Sequence, residues 1–165
     1  MPAPVARPGF DPGPWRQELR AFLVKMGAGD ELDDLIQEVF LRSVRRPPSG
    51  APRAYLYRVA LNLLRDRSRH LGRTERALQG LARIERPAVT CPAETIAARD
   101  LVERAWRIIA RLPDQQRAAL ILRIDRQFTY RESASMLGCS EATVRQHFYL
   151  GMKALRAVLA GGGDE

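Results

Sequence analysis

Apolar side chains recur at helical spacing along most of the chain, and no segment sustains the period-two alternation of a half-buried strand. Trp15, Leu19, Phe22, Leu23 and Met26 mark one face of a helix over 15–26. Gly27-Ala28-Gly29 breaks it, and Asp30 is placed to cap a second helix. On that helix Leu32, Leu35, Ile36, Val39, Phe40 and Ser43 share a face. Pro47-Pro48-Ser49-Gly50 reads as a loop. Pro52 stands where a first helical turn tolerates proline. Tyr55, Leu56, Val59, Ala60, Leu63 and Leu64 then carry a third helix over 53–70.

Between 72 and 94 the apolar residues thin out around Gly72, Gly80, Pro87 and Pro92, which predicts a flexible linker. The helical period returns over 95–111 with Leu101, Val102, Ala105, Ile108 and Ile109, and Leu112-Pro113 ends it. Asp114 follows, where its charge suits the free amides of the next helix. Ala118, Leu120, Ile121 and Ile124 continue the apolar face there. The pattern predicts an all-α chain of two small helical domains, 15–71 and 95–160, joined by the 72–94 linker. Residues 1–14, with five prolines, are expected to lack fixed structure.

The clearest motif runs from Phe128 to Arg156. Thr129 and Glu132 have the spacing of a capping box. Gly138 allows the positive φ of a helix end, and Ser140 and Glu141 suit the start of the next helix. Ala134 and Val144 point inward, with Phe148 and Leu155 following at helical spacing. This is the spacing of a DNA-binding helix-turn-helix, although capped helical hairpins with polar solvent faces also occur in proteins that bind no DNA. The outward face of the second helix carries Thr143, Arg145, Gln146, Tyr149 and Lys153. Arg and Gln make paired hydrogen bonds to base edges, and Lys meets phosphates. Phe148 and Tyr149 read as packing residues more readily than as base-stacking ones.

Composition sharpens this picture. The chain has 165 residues with a net charge of +8, which favours a polyanionic partner. The charge is uneven. Five of the nine residues over 30–38 are acidic, which suits a basic protein surface better than phosphate, or else simply a solvated helix face. Residues 42–86 hold twelve arginines against Asp66, Glu75 and Glu85. Within that stretch, 55–66 mixes aromatic rings, arginines and an amide, a combination able to hold single-stranded DNA. An amphipathic helix with its aromatics in the core has the same pattern, and at least one of Tyr55 and Tyr57 is expected to be core. The two cysteines, Cys91 and Cys139, have no metal-ligand spacing and fit a reducing cytoplasm. No secretory leader and no membrane-length apolar run is present, so a cytoplasmic location is expected.

Asp33-Asp34-Leu35-Ile36-Gln37-Glu38-Val39-Phe40 resembles region 2.2 of the extracytoplasmic-function (ECF, group IV) sigma factors of the sigma-70 family. Residues 54–62 (Ala-Tyr-Leu-Tyr-Arg-Val-Ala-Leu-Asn) resemble their promoter-melting region, and 112–156 their region 4. Val144-Arg145-Gln146-His147 looks closest to the iron-uptake branch. The resemblance implies that Asp34, Gln37 and Glu38 dock on a coiled coil of core RNA polymerase. It assigns the −10 element to Arg53, Tyr57, Arg58, Asn62, Arg65 and Arg69. The loop over 44–53 and the helix bearing Asn62 would form a pocket for a flipped −10 base. The −35 element falls to Ser140, Thr143, Arg145, Gln146, Tyr149 and Lys153. The implied partners are core RNA polymerase, promoter DNA and an anti-sigma factor linked to the membrane, with no cofactor and no small-molecule substrate. Three departures stand out: Tyr55 replaces a frequent Trp, the linker is rich in arginine where relatives are often acidic, and Gly151 replaces a small Ala at a cost of up to ~1 kcal/mol of helix propensity. Region 1.1 of housekeeping sigma factors has no counterpart, as the group leads one to expect.

A stand-alone helix-turn-helix regulator would explain 110–156 but leave the acidic helix without a purpose, and no heptad stretch offers a dimer surface. A polymerase-binding regulator that never reads DNA is disfavoured by the basic helix of the motif. An enzyme is disfavoured because there is no phosphate-binding loop and no nucleophile constellation. His70 and His147, the only histidines, are both expected near the surface.

Overall fold

The helix ends fall at the prolines and glycines that punctuate the chain. The computed structural model describes residues 9–70 and 96–160, all-α with no strand among them. Lobe 1 comprises α1 (Arg16–Lys25), α2 (Leu32–Arg45) and α3 (Pro52–His70). Lobe 2 comprises α4 (Ile96–Arg111), α5 (Asp114–Leu120), α6 (Tyr130–Leu137) and α7 (Glu141–Ala160). The predicted 72–94 linker, with Cys91, lies outside the described residues.

Three local expectations change. Residues 9–14 are not structureless: Gly13–Trp15 form a 3-10 turn, Asp11 accepts the Gly13 amide at 2.9 Å, and Phe10 stacks on Trp15 at 5.8 Å. Asp30 is not the cap of α2, because it lies within a 3-10 turn, Gly29–Glu31, that precedes the helix. Finally, the helix starting at Asp114 does not run on regularly but widens into a π-turn over Ile121–Asp125. The extra residue in that turn shifts the register. Ile124, expected on the apolar face, is 52% exposed, while Leu122, one turn after the buried Ala118, is fully buried.

Each lobe buries the face its periodicity marks. Leu19, Phe22, Leu23, Leu35, Ile36, Val39, Leu56 and Ala60 form the centre of lobe 1. Ala118, Ala119, Leu122, Met136, Leu137 and Val144 form that of lobe 2. Ser43, buried in lobe 1, satisfies its hydroxyl on the Val39 and Phe40 carbonyls of its own helix. The two centres are continuous. Two residues beyond the π-turn lies Gln127, whose φ of +62° is uncommon for a residue with a side chain. This reversal delivers Phe128 to Tyr57 of lobe 1, edge-on at 5.1 Å. Arg117 locks the same boundary from the other side. Its guanidinium donates to the carbonyls of Ile109, Ala110 and Leu112 at the end of α4 and to Met26 beyond α1, at 2.6–3.2 Å. A cation placed on carbonyls left open at two helix C-termini satisfies both ends at once.

Gly151 has a use that helix propensity alone conceals. It is buried, and a Cβ there would sit 2.9 Å from Leu120 Cδ1 and 3.0 Å from Leu120 Cγ. Leu120 is itself 2% exposed and has little room to yield. Gly151→Ala gains up to ~1 kcal/mol of propensity but forces overpacking of about 1–3 kcal/mol. The variant is expected to be destabilised by roughly 1 kcal/mol in urea unfolding, and a stabilised variant would contradict the close approach of α5 and α7.

Candidate nucleic-acid and polymerase interface

The candidate residues fall on three surfaces. On α2, Asp34 and Gln37 are exposed, and Glu38, partly exposed, pairs with Arg42 at 2.7 Å. Glu31 and Asp33 are tied to Arg67 and Arg20 at 2.7 Å, so part of the acidic run is neutralised within the lobe. Two residues that sequence reasoning does not single out extend this face: Leu41 and Val44, each 52% exposed, lie one and two turns beyond Gln37. A stripe of carboxylate, amide and exposed aliphatic side chains fits a protein partner better than water alone.

The second surface is α3 with the loop before it. Pro48, Ser49, Gly50, Ala51, Ala54, Tyr55 and Arg58 line an open cleft of about 200 Å³. That is below the ~300–1,000 Å³ of drug-sized ligand sites. The Tyr55 hydroxyl donates to the Arg46 carbonyl at 2.6 Å, and Arg58 lies over the Tyr55 ring at 5.5 Å, so both walls are held. Asn62, exposed, follows Arg58 by one turn on the same face, and Arg69 is exposed near the end of α3. The far wall of the cleft is Ser135 and Met136 of lobe 2.

The other three −10 candidates are engaged at the lobe boundary. Tyr57 is fully buried, as one of the two tyrosines was expected to be, between Phe22 at 4.6 Å and Phe128. Arg53 donates to Glu18 at 2.6 Å and to the Arg126 carbonyl at 3.0 Å, and lies 4.2 Å over the Phe128 ring. Arg65 donates to the Leu137 carbonyl at 2.8 Å. Lys25 and Asp125 add an ion pair at 2.6 Å. Arg117, Asp125 and Phe128 carry no sequence signal for joining the lobes, and Glu18 none for holding Arg53 and Tyr57 beside that boundary. Their spacing shows no trace of it, because every partner lies at least 35 residues away except those within lobe 2.

Glu18 makes this boundary sensitive to acid. Burial raises its pKa, but hydrogen bonds from Arg53 and Tyr57, with the charges of Arg53 and Arg126, together hold it below the usual carboxylate value. A carboxylate depressed in the folded state contributes stability above its unfolded pKa and loses it as pH falls through the folded one. Stability is therefore expected to fall below about pH 4, and Glu18→Gln should flatten that part of a thermal-melting pH profile. An unchanged acid limb in the variant would show that Glu18 does not set it.

The third surface is the helix-turn-helix. Thr129 and Glu132 form the capping box in full, with Glu132 N–H to Thr129 Oγ1 at 3.1 Å and Thr129 N–H to Glu132 Oε2 at 2.7 Å. Gly138 takes φ +67° at the end of α6. Ser140 accepts the Thr143 amide at 3.1 Å and shares a hydrogen bond with the Thr143 hydroxyl at 2.8 Å, so both serve first as the start of α7. Arg145, Gln146, Tyr149 and Lys153 are exposed on one side of that helix. Tyr149, read as a packing residue, is 62% exposed, whereas His147, expected on the surface, is half-buried with its Nδ1 shielded from solvent.

Two family models match in this order: Sigma-70 region 2 over residues 14–74 and Sigma-70 region 4 over 103–155. The ECF RNA polymerase sigma factor EcfG of Rhodopseudomonas palustris is 31% identical over 153 residues, 89% of this chain and 82% of that one. The chain belongs to the ECF sigma factors. The ECF RNA polymerase sigma factor SigC of Mycobacterium tuberculosis is 30% identical over 148 residues, 86% of this chain and 77% of that protein. Among solved structures, the Bartonella quintana sigma factor RpoE, crystallised with its anti-sigma factor NepR, superposes with a TM-score of 0.64 at 20% identity, over 88% of this chain and 92% of that one. At this identity the likeness speaks for the fold. Region 2 therefore coincides with lobe 1 and region 4 with lobe 2. No described helix is long and apolar enough to cross a membrane.

Proposed function

We propose that this sigma factor docks on core RNA polymerase through the α2 stripe, Asp34, Gln37 and Glu38 with Leu41 and Val44. It directs the enzyme to promoters read at −10 by α3 and the loop before it, and at −35 by α7. One observation carries the reading. A single chain presents an acidic, partly apolar docking helix on one lobe and a fully capped helix-turn-helix with an Arg-Gln-Tyr-Lys face on the other. A stand-alone operator-binding protein needs only the second. The role is regulatory rather than enzymatic, and the location cytoplasmic. An anti-sigma factor is the further partner, supported by the Bartonella relative's complex. The finer placement in the iron-uptake branch rests on Val144-Arg145-Gln146-His147; promoters upstream of iron-uptake genes among its targets would support it, and their absence would remove it.

The closed arrangement gives the free chain a specific property. Arg53, Tyr57 and Arg65 cannot meet DNA while they hold the two lobes together, and the cleft is walled by lobe 2. The chain alone is expected to bind a promoter duplex weakly, and tightly once core polymerase separates the lobes. Fluorescence anisotropy with and without core polymerase tests this. Tight binding by the chain alone, with a steep salt dependence, would instead describe a stand-alone regulator. On the −35 side, Arg145→Ala is expected to weaken promoter selection by ~1–3 kcal/mol, as loss of one bidentate base contact does. Unchanged competition between promoter duplexes would place the reading face elsewhere.

A further inference from the structure

The outward face of α7 carries a guanidinium that the protein already holds in place. Arg145 Cζ lies 4.3 Å from the centroid of the Tyr130 ring, and its Nη2 lies 3.6 Å from Glu141 Oε2. Tyr130 is itself fixed from several sides. It is the first residue of α6, directly after the Thr129–Glu132 capping box. Its ring meets Phe148 of α7 edge-on, at 6.0 Å and 85°. A second guanidinium, that of Arg123 from the π-turn, lies 4.2 Å from the same centroid and is anchored by a hydrogen bond to the Phe128 carbonyl.

This geometry has a consequence for recognition. An arginine that stacks uses the face of its guanidinium, whereas an arginine that reads a base uses the N–H groups along its edge. The two contacts are compatible in one conformer. An unsupported arginine on an exposed helix must give up rotamer freedom when it meets DNA, and one already stacked gives up less. The Glu141 contact does not substitute for the ring. It is a long, solvent-exposed pair of the kind that contributes little, and its carboxylate competes with the base for the same N–H groups.

Resting on the reading of α7 as the helix that contacts the −35 element, we propose that Tyr130 is a specificity-determining positioning residue. Its ring holds the Arg145 guanidinium ready to read a base edge in the major groove, and so sets how sharply that base pair is discriminated. Tyr130 belongs to the first helix of the motif, so the specificity of the second helix is partly written outside it.

The experiment uses the full chain assembled with core polymerase and a promoter library randomised across the −35 element, with bound and unbound pools sequenced. Arg145→Ala first identifies the position that Arg145 reads, as the one whose base preference collapses. Tyr130→Leu is expected to lower discrimination at that position by about two- to fivefold, the worth of one exposed cation–π contact, and to leave the other positions unchanged. Tyr130→Phe keeps the ring and should restore the preference. In the Arg145→Ala background Tyr130→Leu should have no further effect. A uniform loss across all randomised positions, or no loss at the Arg145 position, overturns the proposal. If Arg145→Ala itself alters no position, the assignment of the reading face has failed instead. A measurement on the unaltered protein guards against a variant that does not fold. NMR should show the Arg145 side-chain protons shifted upfield by the Tyr130 ring current, and random-coil shifts would overturn the stack.

Discussion

Phe128→Ala is expected to lower stability by about 3–5 kcal/mol, the usual result of removing a buried aromatic ring, and to loosen the two lobes. The ring is 3% exposed and lies between Tyr57, at 5.1 Å, and the Arg53 guanidinium, at 4.2 Å. Both neighbours belong to lobe 1, so removing the ring chiefly weakens packing across the boundary. The capping box one residue later is made by Thr129 and Glu132 and does not use the ring. Lobe 2 should therefore keep its helix-turn-helix. Small-angle scattering should show a larger radius of gyration. The variant should also bind a promoter duplex more tightly without polymerase, because Arg53, Tyr57 and Arg65, which we propose contact DNA, are released together. Phe128→Leu, which keeps most of the volume, should lie between the variant and the parent. Unchanged compactness and unchanged duplex affinity in Phe128→Ala would mean that Phe128 does not hold the lobes closed.

Asn62→Ala should leave folding intact and impair promoter opening. Asn62 is exposed on α3, and alanine is the better helix former by several tenths of a kcal/mol, so stability should hold or rise slightly. Extracting a base from the stack costs a few kcal/mol that contacts around it must offset. If Asn62 supplies one such contact, as proposed, open-complex formation is expected to slow by roughly fivefold to 150-fold, the range of ~1–3 kcal/mol. Permanganate reactivity of thymines in the −10 region reports this directly. Binding to core polymerase, which we propose rests on α2, should be unaffected. Normal strand opening in the variant would mean that Asn62 does not contact the flipped base.

Most of the local architecture is legible in the sequence, because it rests on short-range rules. The capping box at Thr129–Glu132, the left-handed Gly138, the start of α3 at Pro52 and the buried Val144 all follow from spacings of a few residues. What is not legible depends on distant partners or on a break in periodicity. The π-turn over Ile121–Asp125 breaks the 3.6-residue period that places Ile124, four residues after Leu120, on the apolar face, and Ile124 is exposed. The use of Arg117 on the carbonyls of two helices, and of Arg53 on Glu18 and Arg126, pairs residues up to 91 positions apart. An arginine-rich sequence gives no way to tell such a cation from one that faces DNA. Tyr57 illustrates the overlap: the same ring reads as core or as a base-stacking residue, and the closed arrangement makes it core. Gly151 resembles a defect of helix propensity until Leu120 is seen against it.

If this chain confers promoter recognition on core polymerase, run-off transcription will show it. Purified core polymerase would be assayed with and without the chain on a fragmented library of host DNA, and the new 5′ ends mapped. Discrete start sites are expected only with the chain, preceded by shared −10 and −35 elements. These starts should disappear when the α2 stripe is altered by Asp34→Lys. No new start sites, together with tight duplex binding by the chain alone, would mean that it is not a promoter-specificity subunit.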